Sequence, residues 1–139
     1  APDLKTKEID MGIDLTANGL IKFKEKFNAK ICFFYIPSPA TIYSPKLIYP
    51  QIYFPVNINS ILSIDNLKRS KYIRNRFNEK LSKNQIFFYD STNFLINKAN
   101  KMFIHGEKDQ KHFNQKGYQY LAEFVSNNLD ECFLEYQSK

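Results

Sequence analysis

A chain of 139 residues with 43% hydrophobic and 16% aromatic residues can bury a core. This composition excludes a disordered protein and favours a single globular domain over residues 1–139. No apolar run in the sequence approaches the roughly 20 residues that a membrane-spanning helix needs, so no transmembrane segment is predicted. The net charge of +6 permits an acidic partner without requiring one.

The first half of the chain predicts a helix, a strand and a long loop. Residues 17–28 carry apolar side chains at helical spacing, with lysines on the other side. Residues 30–36 form an almost unbroken apolar run, which predicts a strand buried on both faces and ended by Pro37. Residues 37–59 hold five of the six prolines. They predict an irregular loop that either lines a substrate groove, contacts a partner or packs as a lid.

The second half of the chain predicts a further helix, strand, loop and helix. Residues 60–83 give the strongest helical pattern, with apolar side chains on one face and lysines and arginines on the others. Residues 85–89 predict a second buried strand that ends at Asp90, and residues 91–111 predict mostly loop. An amphipathic helix is predicted from Tyr118 towards the C-terminus.

This alternation of helices and strands predicts an α/β fold with a parallel sheet flanked by helices. Two strands are too few for a stable sheet of that type. Further strands are therefore expected near residues 1–15 and 47–58, or on another piece of chain, which would make residues 1–139 an incomplete domain.

The two cysteines lie in apolar segments that are far apart in sequence. Cys32 and Cys132 are interpreted as buried free thiols rather than as a disulfide. No paired-cysteine motif predicts a metal site, and no cofactor is predicted. The N-terminus has no signal-peptide h-region, which favours a cytoplasmic location.

Ligands of parallel sheets bind beyond the carboxyl ends of the strands. Three segments are expected to meet there, and these are residues 37–39, residues 90–92 and the loop that leads into the last helix. That loop carries Asp109 and His112. The carboxylate of an Asp three residues before a His can accept a hydrogen bond from the imidazole Nδ1–H, which leaves Nε2 free to act as a base.

The block Asp109-x-x-His112-x-Asn114-x-x-Gly117-Tyr118 resembles the last conserved block of the SGNH (GDSL-type) hydrolase superfamily. In that family the block stands at the start of the C-terminal helix, and Asn114 is predicted to cap that helix here.

The preceding segments are similar to the same family. Residues 31–39 look like its late strand with a proline-containing loop, and residues 86–90 look like its final strand. The resemblance covers roughly residues 17–130, although only the Asp-x-x-His block is specific to the family.

The resemblance implies a three-layer, flavodoxin-like sheet and a serine esterase or acyltransferase. His112 would be the general base and Asp109 its orienting carboxylate. The substrate would be a small-molecule, lipid or carbohydrate ester. The family's Gly-Asp-Ser motif is absent from the sequence, and residues 11–15 match its oxyanion-hole block only in part. The chain is therefore expected to be the C-terminal part of an SGNH-like domain whose nucleophilic serine lies upstream.

Several alternatives stay open. Ser38 or Ser91 could replace the missing nucleophile, although the prolines beside Ser38 oppose the tight turn that presents an activated serine. His105, Asp109 and His112 could bind a metal. The basic side chains of residues 60–83 could bind nucleic acid, but a solvated helix face is favoured and no nucleic-acid partner is expected.

The rival to an enzyme is a non-catalytic α/β binding module that lacks a nucleophile. The sequence does not specify the oligomeric state under either interpretation.

Overall fold

The structure is a computed structural model that describes residues 5–43, 64–106 and 111–134. Within these ranges the chain forms five helices and two strands. In chain order they are α1 (Thr6–Phe27), β1 (Cys32–Tyr35), α2 (Pro39–Tyr43), α3 (Ile64–Lys83), β2 (Phe87–Asp90), α4 (Thr92–Ala99) and α5 (Gln115–Leu134).

The strands β1 and β2 pair in parallel, with Cys32 opposite Phe87 and Tyr35 opposite Asp90. Parallel pairing was predicted from the two apolar runs. The predicted three-layer, flavodoxin-like sheet is wrong for the described residues, because they are mostly helical and their sheet has only two strands.

The strand expected near residues 1–15 is also wrong for residues 6–15. From Thr6 onwards this segment belongs to α1, because Ile9, Ile13 and Ala17 continue the helical spacing towards the N-terminus. The other expected strand, at residues 47–58, lies outside the described residues.

Two short helices occupy segments that were predicted to be loops. The helix α2 starts at Pro39, whose fixed φ suits a first helical position, and Ser38 O accepts the N–H of Thr41 at 2.9 Å. The helix α4 follows β2 directly, where Asp90 Oδ1 accepts the N–H of Thr92 at 2.9 Å. Helices this short contain too few turns for their periodicity to be recognised in the sequence.

One apolar cluster, here called the α1–α3 core, lies between α1, α3 and the strand pair. Its buried members are Ala17, Leu81 and Ile86, surrounded by Leu20, Ile21, Ile31, Phe33, Phe77 and Phe88. Phe33 of β1 stacks on Phe77 of α3, with ring centroids 5.3 Å apart. At the rim, Asp10 pairs with Arg76 and Asp14 pairs with Lys80, so the charged groups of this core stay near solvent.

A second cluster, here called the loop core, lies under the segment that precedes α5. Its buried members are Ile42, Tyr43, Leu95 and Ile104, surrounded by Phe94, Ala99, Phe103, Phe113 and Tyr120. The loop core therefore connects α2, α4 and α5 with the segment around residue 104.

The helix α5 runs antiparallel to β1. Cys132, near the end of α5, forms a disulfide with Cys32 at the start of β1, and Phe124 contacts Phe34 further along the strand, with ring centroids 6.3 Å apart. The remaining turns back to Gln115 add about 14 Å of helix. The N-terminus of α5 therefore lies on the side of the carboxyl ends of the strands.

The disulfide corrects the prediction of free thiols. Burial was expected, and Cys132 is indeed fully buried. The antiparallel packing of α5 on β1 brings the two Cα atoms to 6.2 Å, a separation that suits a disulfide. Sequence distance gave no indication of this proximity.

Candidate functional site

His112 lies in an exposed turn just before α5, on the side of the carboxyl ends of the strands. Its backbone carbonyl accepts a hydrogen bond from the Gly106 N–H at 3.0 Å. Asp109 lies outside the described residues, so its contact with His112 stays a prediction.

Two short stretches of backbone hold the His112 turn in place. His105 and Phe113 form an isolated antiparallel bridge, and the Asn114 N–H donates to Ile104 O at 3.0 Å. Together with the bond from Gly106 to His112, these contacts pair residues 104–106 with residues 112–114. The backbone on the C-terminal side of His112 is therefore fixed against a buried segment.

Asn114 joins this pairing to the helix. Its Oδ1 accepts the N–H of Gly117 at 2.9 Å, which confirms the predicted N-cap. Its Nδ2 donates to Phe103 O at 2.9 Å and to His105 O at 3.1 Å. One amide side chain thus fixes both the start of α5 and the segment beneath it.

Gly117 allows the same segment to approach the first turn of α5. A Cβ at this position would lie 2.1 Å from Ile104 O and 2.7 Å from the ring of Phe113. Neither atom can move away cheaply, because one is backbone and the other belongs to a ring packed in the loop core. The close packing of α5 against residues 104 and 113 therefore requires a glycine at position 117.

His105 is a buried part of the site that sequence reasoning did not recognise. The sequence predicts a loop histidine or a metal ligand at this position, yet His105 is only 2% exposed. Its Nδ1 lies 2.8 Å from Tyr43 Oη. Burial lowers the pKa of His105 to about 4, and burial likewise raises the pKa of Tyr43 to about 12.

No sequence signal links Tyr43 with His105, because 62 positions separate them. The metal interpretation gains no support from the described residues. Among residues 5–43, 64–106 and 111–134, no group of three potential ligands could hold a metal ion; Asp109 is outside these ranges.

The two candidate serines lie near the carboxyl ends of the strands, but neither is arranged as a nucleophile. Ser91 is fully buried, and its Oγ donates to Tyr35 O at 2.7 Å. Ser38 is exposed and its Oγ lies 3.2 Å from Thr41 Oγ1 at the start of α2. Within the described part of the chain, no hydrogen bond connects either hydroxyl to a histidine.

The basic face of α3 is largely neutralised by acidic neighbours. Arg74 pairs with Asp90 at 3.0 Å. The other ion pairs of this helix are Arg76 with Asp10 and Glu79, Lys80 with Asp14, and Lys83 with Glu79. Part of the positive charge that would attract a phosphate backbone is therefore compensated.

A groove of about 430 Å³ runs beside β2, at the opposite end of the strands from His112. It is lined by Ser82, Gln85, Ile86, Phe87, Phe88, Tyr89 and Glu131. Most of this lining is apolar, and it contains neither a histidine nor a cysteine.

Comparison with protein-family models gave no match to this chain, and neither did comparison with curated proteins or with solved structures. The resemblance to the SGNH superfamily therefore rests on the sequence block alone. No helix within the described ranges is both long and apolar enough to cross a membrane.

Proposed function

We propose that the chain is the C-terminal part of an SGNH-like serine esterase or acyltransferase. In this proposal His112 is the general base and Asp109 is the carboxylate that orients it. The observation that carries the proposal is the position of His112, which is exposed, lies three residues before the start of α5 and is on the side of the carboxyl ends of a parallel strand pair. Parallel sheets bind their ligands on that side.

The proposed reaction is acyl transfer through a serine. The serine Oγ attacks the acyl carbonyl while His112 Nε2 takes the hydroxyl proton. The imidazolium then gives this proton to the departing alcohol oxygen as the ester bond breaks. Asp109 accepts a hydrogen bond from the Nδ1–H of His112 and stabilises the imidazolium. Attack by water or by an acceptor alcohol then releases the acyl group from the serine, which makes the protein a hydrolase or a transferase respectively.

The proposal places the nucleophile upstream of this sequence. The support is that no Gly-Asp-Ser motif occurs here and that Ser91 is committed to a backbone carbonyl. The substrate class is a small-molecule, lipid or carbohydrate ester.

The test compares variants of the complete natural protein on a short-chain aryl ester. We expect His112→Ala and Asp109→Asn each to lower kcat/KM by at least several hundred-fold, an order of magnitude typical for loss of a triad member. Lys116→Ala is the matched control, because Lys116 is an exposed residue of the first turn of α5 and has no role in the reaction.

A fluorophosphonate probe, followed by peptide mapping, should locate the nucleophilic serine and should label the His112→Ala variant far more slowly. Equal rates in wild type and in His112→Ala would contradict the proposal. That result, together with an unlabelled wild type, would favour the non-catalytic binding module.

A further inference from the structure

We propose that Tyr43 and His105 form a buried positioning pair whose hydrogen bond fixes the place of His112 at the carboxyl ends of the strands. This inference rests on the proposed function, since it assigns the pair to the residue that would act as the base. Neither side chain is a catalytic residue, because both act through the backbone that carries His112.

The hydrogen bond between Tyr43 and His105 has a defined donor and acceptor in this proposal. Tyr43 Oη accepts the backbone N–H of Ile104 at 3.1 Å and lies 2.8 Å from His105 Nδ1, and we assign the hydroxyl proton to this second contact. His105 Nδ1 is then the acceptor, and a neutral His105 carries its proton on Nε2. Burial supports this state, because it disfavours both the imidazolium and the tyrosinate.

Tyr43 anchors the segment of residues 103–105. Tyr43 is the last residue of α2 and is only 8% exposed. Its ring stacks on Phe103, with centroids 5.1 Å apart, and meets the ring of His105 edge to face at 5.3 Å. The segment of residues 103–105 is therefore held from one side by both the ring and the hydroxyl of Tyr43.

Ring packing and backbone hydrogen bonds connect His105 with His112. The His105 ring packs on Phe113, with centroids 4.6 Å apart, and the same two residues form the antiparallel bridge. On either side of this bridge, Gly106 donates to His112 O and Asn114 donates to Ile104 O, both at 3.0 Å. Any shift of residues 104–106 would therefore move the backbone of His112 with it.

The experiment removes the Tyr43 hydroxyl from the complete natural protein without removing the ring. Tyr43→Phe is compared with Tyr72→Phe, which loses a similar 2.7 Å hydrogen bond to Asp10 at the rim of the α1–α3 core. The readouts are amide hydrogen exchange at Gly106 and Asn114, the imidazole nitrogen chemical shifts of His105, and kcat and KM for the aryl ester.

Tyr43→Phe should accelerate exchange at Gly106 and Asn114 by about tenfold, the equivalent of one buried hydrogen bond. Exchange at Ile86, whose N–H is bonded to Leu81 O, should be far less affected. The nitrogen shifts should show that the His105 tautomer is no longer fixed. We also expect kcat to fall by about tenfold with little change in KM, because a displaced base impairs the reaction more than binding.

A conservative variant separates positioning from simple packing. His105→Asn keeps an acceptor near the place of Nδ1, whereas His105→Leu keeps bulk without an acceptor. His105→Asn should therefore retain more protection at Gly106 and Asn114, and a higher kcat, than His105→Leu.

Three results would overturn the inference. Exchange at Gly106 and Asn114 could stay at the wild-type rate in Tyr43→Phe, or it could rise no more than exchange at Ile86. Exchange could also rise there while kcat is unchanged, which would refute the positioning role and leave the proposed function intact. Failure of the proposed function is recognised separately, by full activity in His112→Ala.

Discussion

The α1–α3 core and the loop core differ in what their interiors are made of. The buried members of the first are apolar, and its ion pairs lie at the rim. The second includes the hydroxyl of Tyr43, which lies within hydrogen-bond distance of the buried imidazole of His105 beside it. Apolar contacts tolerate changes of shape that preserve volume, whereas a buried polar group costs free energy unless it keeps its partner. The loop core therefore specifies one arrangement of its segments more strictly than the α1–α3 core does.

The largest effect is expected from truncating one buried leucine in each of the two cores. Leu81 in the α1–α3 core and Leu95 in the loop core are both fully buried. Leu81→Ala and Leu95→Ala should each lower the free energy of unfolding by about 3 kcal/mol, measured by urea denaturation. Only Leu95→Ala should also change the amide signals of Gly106 and Asn114. A larger change of these signals in Leu81→Ala would show that the cores are not independent.

A smaller effect is expected where α5 approaches the loop core. Gly117→Ala should lower the free energy of unfolding by about 2–3 kcal/mol, because the new Cβ would overlap Ile104 O. Gly19→Ala in α1 is the control, since a Cβ there meets no atom within 4 Å. That variant should raise stability by about 0.5–1 kcal/mol through helix propensity. Thermal denaturation of both variants measures these changes. A change in melting temperature of the same sign in Gly117→Ala and Gly19→Ala would refute the interpretation.

The smallest effect should appear as a pH dependence that belongs to the loop core. The pKa of His105 is about 4 in the folded chain and about 6.5 when unfolded. The unfolded chain therefore binds the proton more readily, and the stability due to neutral His105 is present above pH 6.5 and lost as the pH falls towards 4. Tyr43 faces His105 and stays neutral throughout, because its pKa is about 12.

This loss should amount to about 2 kcal/mol between pH 7 and pH 5. It is measured as the difference in unfolding free energy between wild type and His105→Asn at each pH. A difference that does not vary with pH would mean that His105 is not buried as a neutral group.

The elements that could be predicted are those with an unbroken apolar run or with several turns of helical spacing in the sequence. Both strands, α3 and most of α5 carry extended apolar runs or several turns of helical spacing. The short helices α2 and α4 were missed because helices of five and eight residues contain too little periodicity. The fold class was wrong because strand-helix alternation predicts a large sheet, whereas the N-terminal segment continues α1.

The candidate site was predictable only in part. Asn114 was recognised as a cap from its position before an amphipathic helix. The pairing of Tyr43 with His105 depends on how α2 and residues 103–106 meet in space, and no local pattern encodes such a meeting. The same reason hid the proximity of Cys32 to Cys132, since it follows from the direction of α5.

The bond between Cys32 and Cys132 also makes the stability of the protein depend on where it is produced. It closes a covalent ring that spans 100 positions and includes the whole segment around His112. In the loop-entropy description, a ring of about 100 residues stabilises the folded state by about 4.7 kcal/mol. Such bonds persist in oxidising compartments and are rare in the cytosol. In a reducing environment, packing alone would have to hold α5 against the strands.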